Sequence, residues 1–214
     1  MNGILITFEG GEGSGKTTQI HNLVVWLESE LPNIKLVVTR EPGGTEEAEL
    51  IRDLLVRGAS DRWQPITEAL LMSASRHEHI KNVVEPALER GEIIISDRFF
   101  DSTTIYQGVV GGVDAEAITA LTKLACGNVI PDLTFLLDMD AKVGLARAGK
   151  RDDGETRFEE KGLNFHQKVR DAFLHLAQVH KDRFVIIDAT LTTSEIAKVI
   201  RDKVSQLVAT RNAT

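Results

Sequence analysis

A glycine-rich stretch near the N-terminus constrains this 214-residue chain more than any other feature. Residues 9–18 read EGGEGSGKTT and follow a short apolar run, residues 4–8. The stretch fits the pattern G-x-x-x-x-G-K-[ST], whose fixed positions are filled by Gly10, Gly15, Lys16 and Thr17. In such a loop the backbone N–H groups and the start of the next helix attract phosphate oxygens. The stretch therefore predicts a strand, a phosphate-binding loop and a helix, with a nucleoside triphosphate as ligand.

The residue types in the loop predict its contacts. Lys16 is placed to reach the β- and γ-phosphates, and the Thr17 hydroxyl is placed to ligate Mg²⁺. A flexible glycine-rich turn without a ligand is the alternative, but it does not require the strand-to-helix context. We expect the triphosphate to be held by the whole stretch, Gly10, Gly11, Glu12, Gly13, Ser14, Gly15, Lys16, Thr17 and Thr18.

Short apolar runs recur between longer segments with helical periodicity. Continuous apolar strands suit a parallel sheet that helices bury on both faces. With right-handed crossovers, this pattern predicts a doubly wound α/β fold. The length fits one domain over residues 1–214 with a small inserted lid. The predicted strands are Ile4–Phe8, Lys35–Thr39, Ile93–Ser96, Leu133–Leu137 and Phe184–Ile187.

The segments between these runs predict helices, among which Thr45 and Asp114 are expected N-cap positions. Pro86 is expected to break or kink the long third helix. Residues 147–161 are rich in charge and glycine and lack a sustained apolar face, so we interpret them as a mobile lid or its hinge, with a disordered surface loop as the alternative. The predicted helices are Gly15–Leu31, Thr45–Val56, Pro65–Arg90, Asp114–Ala125, Phe165–Val179 and Ser194–Val208.

Polar residues stand where the predicted strands end. In a parallel sheet the ligand lies at the carboxyl ends of the strands, so Glu9, Arg40 and Asp97 are site candidates. Asp138 and Asp188 also end strands, but helix capping or turn formation explains them better.

Two further motifs follow the second and third strands. The turn at residues 41–44 places Arg40 and Arg52 to hold an anion, with an ordinary structural turn as the alternative. Asp97 at a strand end is suited to Mg²⁺, and Arg98 beside it to a phosphate. A helix after them would present Thr103, Tyr106 and Gln107 together.

Composition excludes some classes of function. The formal net charge of −7 argues against general binding of nucleic acid or membrane surfaces. The single cysteine, Cys126, cannot form an internal disulfide and fits a reducing cytoplasm. No apolar run reaches the length of a transmembrane helix.

The motifs together resemble the thymidylate kinase family. The resemblance covers residues 4–188 and implies a phosphate-loop kinase fold, a homodimer and transfer of the ATP γ-phosphate to dTMP with Mg²⁺. It rests on Gly10–Thr18, Arg40–Gly44, Ala74–Arg76, Asp97–Arg98, Tyr106–Gly108 and the PDLT stretch at residues 131–134.

The resemblance also implies roles for single residues. Lys16 would stabilise the transferring phosphoryl group, Glu12 would lie near the acceptor nucleotide, and Asp97 would be linked to the metal. The dTMP phosphate would be met by Arg40, Arg52 and Arg98. Arg76 would contact the thymine O4 edge, with Thr103 and Gln107 near the thymine N3 face and sugar, and Tyr106 beside the deoxyribose.

This phosphate loop contains no arginine, which resembles the subtype that draws its catalytic charge from the lid. The lid candidates are Arg147, Lys150, Arg151 and Arg157. We favour Arg151 and Arg147, because Arg157 precedes Phe158 as a hinge-like anchor. A solvated charged surface is the alternative.

Two positions depart from the family pattern. Met72 stands where the family usually has a phenylalanine stacked on thymine, and Phe99 stands where it commonly has tyrosine or histidine. A kinase for another or a 5-modified pyrimidine deoxynucleotide therefore stays open. A non-catalytic or switch-type phosphate-loop protein is less consistent, because Lys16 and Asp97 are retained and no guanine-reading N-K-x-D stretch occurs.

Overall fold

A computed structural model describes residues 3–148, 157–158 and 161–212 of the chain. Its centre is a parallel sheet of five strands in the order β2-β3-β1-β4-β5. The predicted sheet is confirmed, and each strand lies within one residue of its predicted bounds. The strands are β1 (Ile4–Glu9), β2 (Leu36–Arg40), β3 (Ile93–Asp97), β4 (Leu133–Asp138) and β5 (Phe184–Asp188).

Helices connect and cover the strands. Both expected N-caps are confirmed: the Thr45 hydroxyl accepts from the Ala48 N–H, and the Asp114 carboxylate accepts from the N–H groups of Glu116 and Ala117. The helices are α1 (Lys16–Glu30), α2 (Glu46–Val56), α3 (Pro65–His79), α4 (Glu85–Glu89), α5 (Phe100–Thr103), α6 (Ala115–Cys126), α7 (Ala141–Ala148), α8 (Leu163–Val179) and α9 (Thr193–Asn212).

The predicted helix over residues 65–90 is interrupted without ending. A π-helical segment, Ile80–Val84, joins α3 to α4, and a second one, Thr104–Val110, follows α5. Proline cannot donate an N–H and its ring crowds the carbonyl four residues earlier. For Pro86 that residue is Asn82, inside the first π-helical segment. The distortion expected from Pro86 therefore falls before it, as a widened turn.

Apolar side chains on both faces of the sheet form the core. Ile6 and Phe8 point to the side where α1 packs against α9, and both are fully buried. Leu5 and Ile94 point to the other side, against Ile80. Successive strand residues face opposite sides, so burial on both faces requires the continuous apolar runs seen in the sequence.

The strand order determines where a ligand can bind. Chain connections leave β1 and β3 in opposite directions, and these two strands lie side by side, with Phe8 paired to Asp97. The carboxyl ends at such a switch point border an open crevice in doubly wound sheets. Arg40, the last residue of β2, is also paired to Asp97. Because β1 ends at Glu9, three polar strand ends lie at the same edge of the sheet. Among the described helices, none has the length and apolar character needed to span a membrane.

Candidate active site

The glycine-rich loop joins β1 to α1 as predicted. Gly13 has a φ of 68°, and a Cβ on it would lie 2.1 Å from the Gly144 carbonyl oxygen, so no other residue fits there. The ammonium of Lys16 folds over the loop and donates to the carbonyls of Gly10 and Gly11, at 3.3 and 3.2 Å. The loop therefore holds a cation at the place where phosphate oxygens are expected.

Lys16 is buried, with 8% of its surface exposed. Burial lowers its pKa, and the nearby Arg98 lowers it further, while the carboxylates of Asp97 and Glu12 oppose the change. A phosphate group beside the ammonium would add negative charge and favour its protonated form.

A pocket of about 620 Å³ opens in front of the loop. Side chains from β2, α2, α3, β3 and the helix after β3 line it, which brings together residues far apart in sequence. The predicted site residues in its lining are Glu12, Gly15, Lys16, Thr17, Arg40, Arg52, Met72, Arg76, Asp97, Arg98, Thr103, Tyr106 and Gln107.

Arg98 connects the loop to the far wall of the pocket. Its backbone has a φ of 68°, a left-handed conformation that is uncommon for a residue other than glycine. Its guanidinium donates to the Glu12 carboxylate at 2.7 Å and lies 5.3 Å from the centre of the Tyr106 ring. The Tyr106 hydroxyl donates to the same Glu12 oxygen at 3.4 Å. Burial raises the pKa of Tyr106, which keeps its hydroxyl protonated and able to donate.

Glu9 binds the backbone and a side chain of the segment that follows Arg98. Its carboxylate accepts from the Phe99 N–H at 2.9 Å and from the Ser102 hydroxyl at 2.7 Å. The side chain is fully buried, and burial raises its pKa to about 7 although Arg98 acts in the opposite direction. The sequence placed Glu9 at the site, and the structure places it beneath the pocket rather than in its lining.

Glu9 gives the fold a pH dependence with a defined sign. Its pKa rises from 4.5 to about 7 on folding, so the folded state binds more protons between those values. The free energy of unfolding should therefore fall as the pH rises from 4.5 to 7, by up to about 3 kcal/mol from this group. Glu9→Gln should lose that slope in urea titrations at a series of pH values, whereas Glu28→Gln, at an exposed carboxyl of α1, should keep it. Equal slopes in wild type and Glu9→Gln would contradict the assignment.

Arg76, on α3, lines the pocket. Its Nε donates to the Glu41 carboxylate at 2.6 Å, and its Nη2 donates to the Thr103 hydroxyl at 2.9 Å. Its Nη1 is buried and has no hydrogen-bond partner among the described residues. A buried donor without a partner is costly, so this N–H group is a candidate to donate to a ligand.

Gln107 is oriented by a second buried carboxylate. Its Nε2 donates to Glu68 at 3.0 Å, and Arg157 forms a buried ion pair with the same carboxylate. Arg157 also donates to the carbonyls of Leu55 and Ala59, each at 3.0 Å. These contacts fit the expected anchor role of Arg157. Phe158, the residue after Arg157, contributes an aromatic ring to the pocket lining.

The two arginines expected at the acceptor phosphate stand at the pocket wall. Arg40 donates to Glu49 at 3.0 Å, and its side chain remains 52% exposed. Arg52 donates to the carbonyl of Pro42 at 2.7 Å. Both therefore lie near the turn between β2 and α2, as the motif predicted.

Some expected residues lie elsewhere. Arg147 lies in the last turn of α7, donates to the Ala189 carbonyl at 3.5 Å, and does not line the pocket. Arg151 and Lys150 lie outside the described residues, as does most of the predicted lid. The loop residues not found in the pocket lining are Gly10, Gly11, Gly13, Ser14 and Thr18.

Asp138 and Asp188 behave differently from each other. The Asp188 carboxylate accepts from the Thr190 N–H at 2.8 Å, which confirms a turn. For Asp138 the capping interpretation is wrong, because both of its oxygens accept from Arg170 on α8, at 2.7 and 2.9 Å. An ion pair between a strand end and a helix distant in sequence leaves no local signal.

Comparison with known proteins decides the family. The family model described as "Thymidylate kinase" matches residues 8–200. The chain belongs to the thymidylate kinase family. A thymidylate kinase of Caulobacter vibrioides is 48% identical over 204 residues, which cover 95% of this chain and 97% of that protein. One of Magnetococcus marinus is 47% identical and covers 94% of each chain.

The fold agrees with a solved member of the family. The crystal structure of thymidylate kinase from Ehrlichia chaffeensis aligns with a TM-score of 0.74 at 36% identity, over 94% of this chain and 99% of that one. This likeness confirms the phosphate-loop kinase fold expected from the sequence.

Three supporting residues of this thymidylate kinase site were not expected from the sequence. Glu41, Glu68 and His79 are buried polar residues that hold Arg76 and Gln107 in place. His79 could have been identified from the sequence, because it lies three residues after Arg76 on the same helix and so on the same face.

Proposed function

We propose that the pocket holds dTMP opposite ATP on the glycine-rich loop, and that the chain transfers the γ-phosphoryl group of ATP to dTMP with dTDP and ADP as products. The chain is an ATP-dependent phosphotransferase of nucleotide biosynthesis. One observation carries the assignment of the acceptor side, the buried Nη1 of Arg76 that lacks a partner among the described residues.

The polarity of the pocket supports a 4-oxo pyrimidine. Arg76 can only donate, and its open N–H group calls for an acceptor such as a base O4. The Gln107 amide directs its NH₂ at the Glu68 carboxylate, which leaves its oxygen as the acceptor. Thymine and uracil present O4 as an acceptor and N3–H as a donor, whereas cytosine presents the reverse pattern. The two buried groups therefore favour thymine over cytosine.

The remaining charges suit the phosphates. Arg98, with Arg40 and Arg52 on the wall, would bind the dTMP phosphate, because guanidinium groups match phosphate oxygens. Lys16 would move from the loop carbonyls to the β- and γ-phosphates of ATP, where it stabilises the transferring group. Glu12 holds Arg98 at 2.7 Å and so links the donor loop to the acceptor side.

Magnesium fits the oxygen donors near the loop. The Thr17 hydroxyl and the Asp97 carboxylate both line the pocket, and Mg²⁺ prefers one or two such ligands completed by phosphate and water. The described residues contain no cluster of three or more histidine, cysteine or carboxylate side chains that would form a protein-only cage. The bound metal would neutralise charge on the phosphates, and the two residues would fix its position.

The decisive assay measures ADP release with a panel of acceptors. We expect dTMP to give the highest kcat/KM, followed by dUMP, with dCMP lower than dTMP by at least about tenfold. The panel includes 5-substituted dUMPs, because Met72 lines the pocket in place of the flat ring usual in the family and could suit another 5-substituent. A clear preference for any acceptor other than dTMP would overturn the proposal.

Exposed apolar residues support a homodimer, and the single cysteine supports a reducing cytoplasm as its compartment. Helix α2 packs against α3, and α3 against α6. These helices carry Leu50, Leu70 and Leu124 with exposed fractions of 67%, 51% and 77%. Apolar side chains exposed on neighbouring helices are typical of subunit interfaces. The buried, unpaired Cys126 fits a reducing compartment.

Leu70→Glu should separate such a dimer into monomers, because it places a charge in the apolar contact. Light scattering after size-exclusion chromatography would show the molar mass fall by half. The control is Leu191→Glu, at an exposed leucine outside these helices, which should leave the mass unchanged. A wild-type mass equal to one chain would exclude the dimer.

A further inference from the structure

Arg76 is held by a group of polar side chains, of which Glu41 and Thr39 line the pocket and His79 does not. Glu41 bridges two partners: one oxygen accepts from Arg76 Nε at 2.6 Å, and the other faces His79 Nδ1 at 3.0 Å. The far side of the histidine ring meets the Thr39 hydroxyl, with 2.7 Å between Nε2 and Oγ1. His79 is fully buried, while Glu41 and Arg76 are 4% and 2% exposed.

The partners fix the orientation of the ring. An ionised carboxylate only accepts, so the proton facing Glu41 belongs to His79 Nδ1. In the neutral ring Nε2 then accepts from the Thr39 hydroxyl. A third contact comes from the turn after β2, where a Cβ on Gly44 would lie 2.5 Å from the ring carbon Cδ2. The ring is therefore bonded to Glu41 and Thr39, with the backbone of Gly44 close beside it.

The geometry points to His79 as a positioning residue for acceptor recognition, which acts through Glu41 on Arg76. This inference rests on the proposed function, because it assumes that Arg76 reads the acceptor base. With one oxygen held by His79, the Glu41 carboxylate keeps the other aligned with Arg76 Nε. That alignment fixes the guanidinium of Arg76, a residue of the pocket lining whose Nη1 has no partner among the described residues. Without His79, one buried oxygen of Glu41 loses its donor, and the carboxylate is free to rotate.

Two substitutions at one position test the inference. His79→Leu removes the donor to Glu41 and should lower kcat/KM for dTMP by about tenfold to a hundredfold, mainly through KM. KM for ATP should stay within about twofold, because the chain of contacts ends on the acceptor side. The preference for dTMP over dCMP should also fall. His79→Asn places an amide N–H near the position of Nδ1 and should recover part of the loss.

A matched control separates positioning from general damage. His175 lies exposed on α8, and His175→Leu should leave all these constants unchanged. If His79→Leu does not fold, His79→Asn and Thr39→Val carry the test by the same comparison of KM for dTMP with KM for ATP. Thr39→Val removes only the hydroxyl that faces His79 Nε2 and should have a smaller effect of the same kind.

The outcomes separate the proposed function from the positioning role of His79. A wild-type protein without activity on dTMP would refute the proposed function itself. Wild-type activity on dTMP, combined with folded His79 variants whose dTMP constants match wild type, would refute only the positioning role. Equal changes in the KM values of dTMP and ATP would refute it as well, because they indicate a structural effect on the whole site.

Discussion

Lys16→Ala should lower kcat for phosphoryl transfer by about 10² to 10³ while the protein stays folded. The Lys16 ammonium lies over the glycine-rich loop and donates to the carbonyls of Gly10 and Gly11. Removing a charged donor from a buried transfer site costs about 10² to 10³ in kcat. Stability should not suffer, because burial already lowers the pKa of Lys16, which means that the folded state disfavours its charge. ADP release and thermal unfolding measure the two effects.

The control for this change is Lys198→Ala, at an exposed lysine of α9 that pairs with Asp202. It should retain full activity. A folded Lys16→Ala variant with appreciable turnover would show that another group stabilises the transferring phosphoryl, and the assignment of Lys16 would be wrong.

Arg151→Ala should produce a larger effect still. The transition state of phosphoryl transfer needs positive charge on the γ-phosphoryl oxygens, and the loop between Gly10 and Gly15 contains no arginine. A correctly placed arginine is worth about 10³ to 10⁵ in rate. We therefore expect kcat to fall by at least about 10³ in this variant, with KM for ATP changed only a few-fold.

Arg147→Ala, assayed in parallel, separates the two favoured residues. Arg147 contacts the Ala189 carbonyl at 3.5 Å outside the pocket lining. The variant with the greater loss of kcat identifies the main catalytic charge. Arg201→Ala, on α9, is the matched control and should behave as wild type. A loss confined to KM for ATP in both lid variants would mean that the lid only binds ATP.

The sequence predicted what depends on local pattern. The strands were found because burial on both faces forces continuous apolar runs such as Ile4–Phe8. The loop was found because phosphate binding demands fixed residue types at fixed spacing, as in residues 10–17. The roles expected of Arg76, Thr103 and Gln107 came instead from the family resemblance. The N-caps at Thr45 and Asp114 were also predicted from local sequence pattern.

What the sequence did not predict depends on tertiary contacts. Glu41 looked like part of a turn, yet its carboxylate bridges Arg76 and His79 across 35 and 38 positions of sequence. Asp138 looked like a cap, but Arg170 is 32 positions away. Such pairs have no fixed spacing, because they depend on which helix the fold places opposite each strand end. The position of the strands in the sheet was likewise settled only by the structure.

The contact between Gly13 and Gly144 limits how this protein can be re-engineered. A Cβ on Gly144 would lie 2.4 Å from the Glu12 carbonyl oxygen, and one on Gly13 would lie 2.1 Å from the Gly144 carbonyl. Helix α7 thus meets the loop backbone to backbone, so an added side chain at either glycine would collide with a carbonyl group. A chimera that imports a relative's lid should keep α7 intact and join after Ala148. A junction inside α7 would displace the loop together with the graft.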